Sequence, residues 1–192
     1  TGAVMTDEQI TTAMELAHKY DFTIVSDECY SEIYLDEESP PPGLLEVCEK
    51  LGNYSFKHCI VFHSLSKRSN VPGLRSGIVT GDQQLINNFL QYRTYHGSSM
   101  SPTVQLISEA LWRDEKHVIA NRALYREKFS VVTKILNPVL PFPEPKASFY
   151  LWPKTPIDDI NMTRDLYAQK NLTVLPGQFM ARTSEGRKHG KN

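Results

Sequence analysis

The chain has 192 residues, 40% of them hydrophobic and 22% charged, with 21 basic against 22 acidic side chains and a net charge of −1. That balance supplies no field to attract nucleic acid or an anionic membrane, and no apolar run approaches the roughly 18 residues of a membrane span. Cys29, Cys48 and Cys59 cannot all pair and match no zinc or haem spacing, and the six histidines are scattered, so the expectation is reduced thiols, no metal and a cytoplasmic protein of one large or two small domains.

In chain order, Thr6-Asp7-Glu8-Gln9 is a capping box. It predicts a helix to about Tyr20 with Ile10, Ala13, Met14 and Ala17 as its buried stripe. Residues 22–25 read as a buried strand, Pro40-Pro41-Pro42-Gly43 as a loop, and 44–51 as a short helix. Residues 58–62 and 77–80 read as strands on either side of a polar loop. Residues 83–95 form a helical pattern with Leu85, Ile86, Phe89 and Leu90 apolar. Ser101-Pro102 opens a long helical region, because proline in a first turn lacks only an N–H that has no partner there. That region runs to about Asn137 with a bend near Arg113-Asp114, and Pro138, Pro141, Pro143 and Pro145 stop it. A strand over 148–152, a helix over 162–170 and a strand over 172–175 follow. Strands alternating with helices predict an α/β fold with a parallel sheet, succeeded by a smaller α+β unit.

The chemistry concentrates in the loop Ser64-Leu65-Ser66-Lys67-Arg68-Ser69-Asn70-Val71-Pro72-Gly73-Leu74-Arg75-Ser76-Gly77. Lys67 lies among small hydroxyl residues, with Arg75 eight positions on. A lysine amine forms an imine with an aldehyde cofactor, and a guanidinium binds phosphate bidentately. The partner run is Ser26-Asp27-Glu28-Cys29-Tyr30-Ser31-Glu32-Ile33-Tyr34. It places Asp27 at the carboxyl end of a predicted strand, where open α/β sheets bind ligands. A carboxylate facing a pyridine nitrogen keeps it protonated and electron-withdrawing, and Tyr30, three residues on, could hydrogen-bond the ring's phenolic oxygen. Taken singly, Asp27 reads better as a turn acid or helix N-cap, Ser64 and Ser66 as turn serines, and Arg75 as a surface charge. Their combination is what points to a cofactor.

The two segments together resemble the fold-type I, class I/II aminotransferases, which depend on pyridoxal phosphate. That family carries Asp-x-x-Tyr, then about forty residues, then Ser-x-Ser-Lys and an arginine eight positions later. The matching residues are Asp27, Tyr30, Ser64, Ser66, Lys67 and Arg75. The runs SDECYSEIY, FHSLSKRSNVPGLRSG, YRTYHGSSMSP and FYLW are similar to those of the N-succinyl-diaminopimelate aminotransferases of the bacterial lysine pathway.

The resemblance implies part of a large three-layer α/β/α domain over residues 1–112 and an incomplete small α+β domain over 113–192, with the boundary near Trp112. It also implies roles: Lys67 holds pyridoxal phosphate and, once freed, shuttles a proton; Asp27 keeps the ring protonated; Tyr30 tunes the phenolic oxygen; Ser64, Ser66 and Arg75 anchor the phosphate. The implied substrates are an amino acid, glutamate first, and a 2-oxo acid, N-succinyl-2-amino-6-oxopimelate, in a homodimeric enzyme. Tyr95-His96 reads either as near the substrate entrance or as a packed helix end, and Phe149-Tyr150-Leu151-Trp152 as small-domain core with one face toward substrate. Thr1-Gly2-Ala3 resembles the second half of the family's Asn-Pro-Thr-Gly turn, and residues 186–192 the stretch before its carboxylate-binding arginine. The expectation is therefore a fragment lacking both ends and inactive alone; Arg182 could substitute for that arginine, but that role is disfavoured. Other readings of the same motifs are an aspartate- or alanine-type aminotransferase, a C–S lyase, or a cofactor-sensing domain of a transcription regulator.

Overall fold

The computed structural model describes residues 2–184, 187, 188 and 190. They divide into two compact units, Thr1–Phe129 with Pro145–Tyr150, and Ser130–Glu144 with Leu151–Asn192.

The first unit begins with helix α1 (Asp7–Tyr20). Both halves of the capping box form: Thr6 Oγ1 accepts from the Gln9 N–H at 3.3 Å, and Gln9 Oε1 from the Thr6 N–H at 3.0 Å. Two N–H groups that the helix itself leaves unpaired are thereby satisfied. Ile10, Met14 and Ala17 are its buried stripe, while Ala13 is half-buried. Strand β1 (Ile24–Asp27), helix α2 (Leu44–Lys50) and strand β2 (Cys59–Ser64) follow. Met14, Leu44, Val47, Cys48, Cys59 and Val61 pack with Ile10 into the core under this face. Burying one such side chain fully contributes about 1.5–3 kcal/mol. Cys48 and Cys59 approach to 3.2 Å as free thiols.

Strand β3 (Gly77–Gly81) completes a sheet of order β1-β2-β3. β1 and β2 are parallel with Asp27 opposite Phe62, and β2 and β3 antiparallel with Ser64 opposite Gly77. A Cβ on Gly77 would press on the His63 carbonyl, so glycine lets the strands meet at this end. The expected buried strand over 22–25 is corrected: the strand is Ile24–Asp27, and Phe22 and Val25 are exposed. β1 is an edge strand with one face open to solvent, which an apolar run alone does not reveal.

Helices α4 (Gln83–His96), α5 (Pro102–Arg113) and α6 (Lys116–Leu136) follow. Ser101 caps α5, with Pro102 in its first turn, and the expected bend is the break between Arg113 and Lys116. The expected strand over 148–152 is absent. Within this stretch the Ser148 N–H donates to the Ile33 carbonyl at 3.0 Å, and just before it Ala147 forms an isolated bridge with Tyr34.

In the second unit, helix α7 (Asp159–Lys170) is capped by Asp158. Asp159 is buried and accepts the Gln178 N–H at 2.8 Å and also its side-chain amide. Burial pushes its carboxyl up, but these hydrogen bonds outweigh that and leave it below the usual range. β4 (Thr183–Ser184) and β5 (Arg187–Lys188) form a small antiparallel ribbon. Residues 172–175 form no strand, a further correction: an apolar run becomes a strand only where a partner strand takes its hydrogen bonds. No helix among the described residues is long and apolar enough to cross a membrane.

Candidate active site

The residues singled out in the sequence converge on one end of the three-stranded sheet. Asp27 ends β1, Ser64 ends β2, and Arg75 and Ser76 immediately precede β3, which runs the other way. In open α/β sheets the carboxyl ends of parallel strands are where ligands bind.

Two adjacent acids divide the work at the end of β1. Asp27 is exposed, and its Oδ1 accepts the Cys29 N–H at 3.1 Å. Glu28 serves the scaffold. Its Oε1 accepts from Ser26 Oγ at 2.9 Å and from the Leu44 N–H at 2.9 Å, fixing the start of α2, and Oε2 lies 3.4 Å from His63 Nε2. Burial raises the Glu28 carboxyl, but its bonds with His63, Leu44 and Ser26 win and hold it below its ordinary value. Burial, then hydrogen bonding to Asp27, pushes the Cys29 thiol up to about 12.

Lys67 stands on a one-turn helix, α3 (Leu65–Arg68). Ser64 is its N-cap: the Ser64 Oγ accepts the Ser66 N–H at 3.1 Å and donates to the Ser76 carbonyl at 3.3 Å. Leu65 and Arg68, three residues apart, face inward at 0% and 4% exposure, which leaves Ser66 and Lys67 on the half-exposed side. Among the described residues the Lys67 ammonium has no ion pair or hydrogen bond. It lies 4.4 Å from the centre of the Phe149 ring, which in turn packs at 5.1 Å against Tyr30. Phe149 belongs to the FYLW run read as small-domain core. The sequence reading gave that run one face toward substrate, but not the specific contact with Lys67 and Tyr30.

Arg75 is exposed and left-handed at φ 51°, closing the 3-10 turn Pro72–Leu74. A non-glycine residue there costs roughly 1 kcal/mol. One of its N–H groups, on Nη1, donates to the Pro72 carbonyl at 2.8 Å, leaving the rest of the guanidinium for an external acceptor. Beside it, buried Ser76 Oγ lies 2.7 Å from Ser108 Oγ on α5, and the Ser108 hydroxyl donates to the Val104 carbonyl at 2.6 Å, so Ser76 donates to Ser108. Ser76 and Ser108 brace the arginine loop, and the sequence reading missed both.

Tyr95 and His96 sit exposed at the end of α4 on a shallow depression with Asn88, Gln91 and Tyr92; they do not join this group. Arg182 is exposed in the second unit. Of the stretch 186–192, residues 186, 189, 191 and 192 lie outside the described residues, as does Thr1. Among the described residues no cluster of three His, Cys, Asp or Glu side chains could hold a metal. The set instead offers an acid, a phenol, an amine and a guanidinium beside the Ser64 and Ser66 hydroxyls. That donor set fits a phosphorylated pyridine aldehyde: carboxylate to ring nitrogen, phenol to ring oxygen, amine to aldehyde, guanidinium to phosphate.

Comparison with known proteins agrees. Residues 1–187 match the family model for aminotransferase class I and II. The chain is 29% identical to an LL-diaminopimelate aminotransferase of Natranaerobius thermophilus, over 97% of this chain and 48% of that protein. It is 30% identical to one of Aquifex aeolicus, with the same coverage of 97% and 48%. A crystal structure of an aminotransferase from Neisseria meningitidis is 50% identical, with a TM-score of 0.91 over 98% of this chain and 48% of that one. Aminotransferase AspB from Helicobacter pylori is 36% identical, with a TM-score of 0.87 over 98% and 49%. The chain spans about half the length of the relatives it matches.

Proposed function

This chain belongs to the class I and II aminotransferases, whose members use pyridoxal phosphate, and from that premise we propose that the protein transfers an amino group from an amino acid, glutamate first, to a 2-oxo acid. The observation that carries the reading is the gathering of Asp27, Tyr30, Ser64, Ser66, Lys67 and Arg75 at one end of the sheet. Bound pyridoxal phosphate supplies an electron-withdrawing ring that stabilises negative charge at the substrate α-carbon. Asp27 holds the proton on the ring nitrogen, and Tyr30 donates a hydrogen bond to the phenolic oxygen. The Lys67 Nζ carries the cofactor at rest and moves the proton at the substrate α-carbon. Arg75 and Ser66 hold the phosphate; Ser64 joins them by turning its hydroxyl from the Ser76 carbonyl while its oxygen still caps α3.

For the acceptor we propose N-succinyl-2-amino-6-oxopimelate, supported by the likeness of the motif runs to enzymes of that step. The relatives named LL-diaminopimelate aminotransferases favour a second reading, an unsuccinylated substrate. Offering N-succinyl-LL-diaminopimelate and LL-diaminopimelate as amino donors to 2-oxoglutarate separates the two. Replacing Lys67 with alanine in the full-length protein abolishes turnover with either, and borohydride trapping of the wild type labels the Lys67 peptide. Normal turnover in Lys67→Ala would overturn the assignment.

We place residues 1–112 in the large cofactor-binding domain and 113–192 in the small domain of a cytoplasmic homodimer. The isolated 192-residue chain is expected to be inactive and poorly soluble, because Leu90, Tyr92, Tyr95 and Leu106 leave apolar faces of α4 and α5 exposed. A soluble, active preparation of this chain alone would refute that.

A further inference from the structure

We propose that the start of α6 is a positioning clamp for Lys67, with His117 as its key residue and Asp114 orienting it. The proposal rests on the reading of Lys67 as the cofactor-bearing lysine. A helix of one turn has no stability of its own, because nucleation fixes more dihedral freedom than its few hydrogen bonds return. The orientation of α3, and of the amine it carries, must therefore come from outside it.

All three residues from Lys67 to Ser69 are tied to the segment Leu111–Asn121. Asn121 Nδ2 donates to the Lys67 carbonyl at 3.4 Å. The Arg68 Nη1 donates to the Leu111 carbonyl at 2.8 Å, its Nη2 pairs with Glu115, and its guanidinium lies 5.1 Å over the Trp112 ring. His117 Nε2 lies 2.8 Å from Ser69 Oγ, and His117 Nδ1 lies 2.7 Å from Asp114 Oδ2. Arg68 and Ser69 are 4% and 9% exposed, so these bonds act in a medium that strengthens them and penalises their loss.

Ser69, His117 and Asp114 stand in the order of a serine nucleophile, base and orienting acid. The Ser69 hydroxyl is buried, and the next residue but one before it carries the amine. The row of hydrogen bonds therefore acts as a tether. In the tautomer that donates Nδ1–H to Asp114, Nε2 accepts the Ser69 O–H. His117 thus provides one donor and one acceptor, a pair that a glutamine amide can also provide.

The test uses the full-length protein in four forms: wild type, His117→Ala, His117→Gln and Val118→Ala. Val118, the neighbouring residue, is 1% exposed and touches none of these bonds, so its truncation lowers the melting temperature without loosening the clamp. His117→Ala is expected to weaken pyridoxal phosphate binding about tenfold, as loss of a part-buried hydrogen-bond pair does. It should also lower the fraction of Lys67 trapped by borohydride at limiting cofactor. His117→Gln recovers most of both, and Val118→Ala changes neither despite its lower Tm. Ser69→Ala, which removes only the hydroxyl, repeats the His117→Ala result should that variant fold poorly. Cofactor affinity falling in proportion to Tm across all variants would overturn the proposal, as would labelling of Ser69 by a fluorophosphonate. Unchanged trapping in Lys67→Ala would instead sink the underlying assignment of the lysine.

Discussion

Glu37→Gln is expected to lower stability by about 1 kcal/mol at neutral pH and by almost nothing near pH 2.5. Glu37 receives Arg122 Nε on Oε1 and Arg122 Nη2 on Oε2, both at 2.9 Å, and Arg126 adds a further bond. Arg122 is 5% exposed, also meets Glu32 at 3.2 Å, and lies 4.4 Å over the Tyr34 ring. The network fixes the 32–37 loop, which continues directly from Asp27 and Tyr30, onto α6. Hydrogen bonds from Arg122 and then Arg126 hold the Glu37 carboxyl at about 2, down from an ordinary 4.5. Taken in full, that displacement corresponds to roughly 3 kcal/mol at about 1.4 kcal/mol per tenfold. The Glu37 side chain keeps 36% exposure, so solvent screening reduces the expectation to about 1 kcal/mol. A carboxylate with a depressed folded pKa stabilises above its unfolded value and loses that contribution as pH falls through the folded one. The difference between wild type and Glu37→Gln is therefore complete at pH 7, begins to shrink below 4.5, and vanishes toward 2. Urea midpoints followed by circular dichroism at several pH values in this range measure it. Curves that stay parallel down to pH 2.5 would show that the network contributes nothing through the charge on Glu37.

Two further outcomes probe the site itself. Phe149→Leu removes the ring 4.4 Å from the Lys67 ammonium, a contact of about 1 kcal/mol, so turnover at saturating cofactor should fall about fivefold. Phe149→Tyr should restore it, and equal rates for all three forms would show the contact to be idle. Because the Cys29 thiol is held at about 12 by burial and by Asp27, it stays protonated at pH 9. Iodoacetamide should alkylate it far more slowly in the folded protein than in urea. Asp27→Asn should speed the reaction by removing the adjacent negative charge, and no change on that substitution would disprove the coupling.

Much of this molecule was legible because its causes are local. The Thr6–Gln9 capping box and the Ser101-Pro102 helix start depend on residues three or fewer apart, and both formed as read. The Asp27, Tyr30, Ser64, Ser66, Lys67 and Arg75 pattern could be read because each residue's chemistry travels with its type and its place in a strand-and-loop frame. The errors share the opposite cause. Val25 is apolar yet 64% exposed, because whether a strand lies at a sheet edge is set by its neighbours. Residues 148–152 and 172–175 have strand-like composition but, among the described residues, no partner strand to take their hydrogen bonds.

The sequence by itself determined the fold class, the starts of α1 and α5 and the candidate site residues, since propensity, capping and functional-group chemistry act within a few residues. Tertiary structure alone decided that Asp27 stays exposed while Glu28 caps α2, that Phe149 meets Lys67, and that His117 reaches Ser69 across 48 residues. Those choices depend on which distant surfaces pack together, and packing is a property of the whole chain that no short pattern encodes.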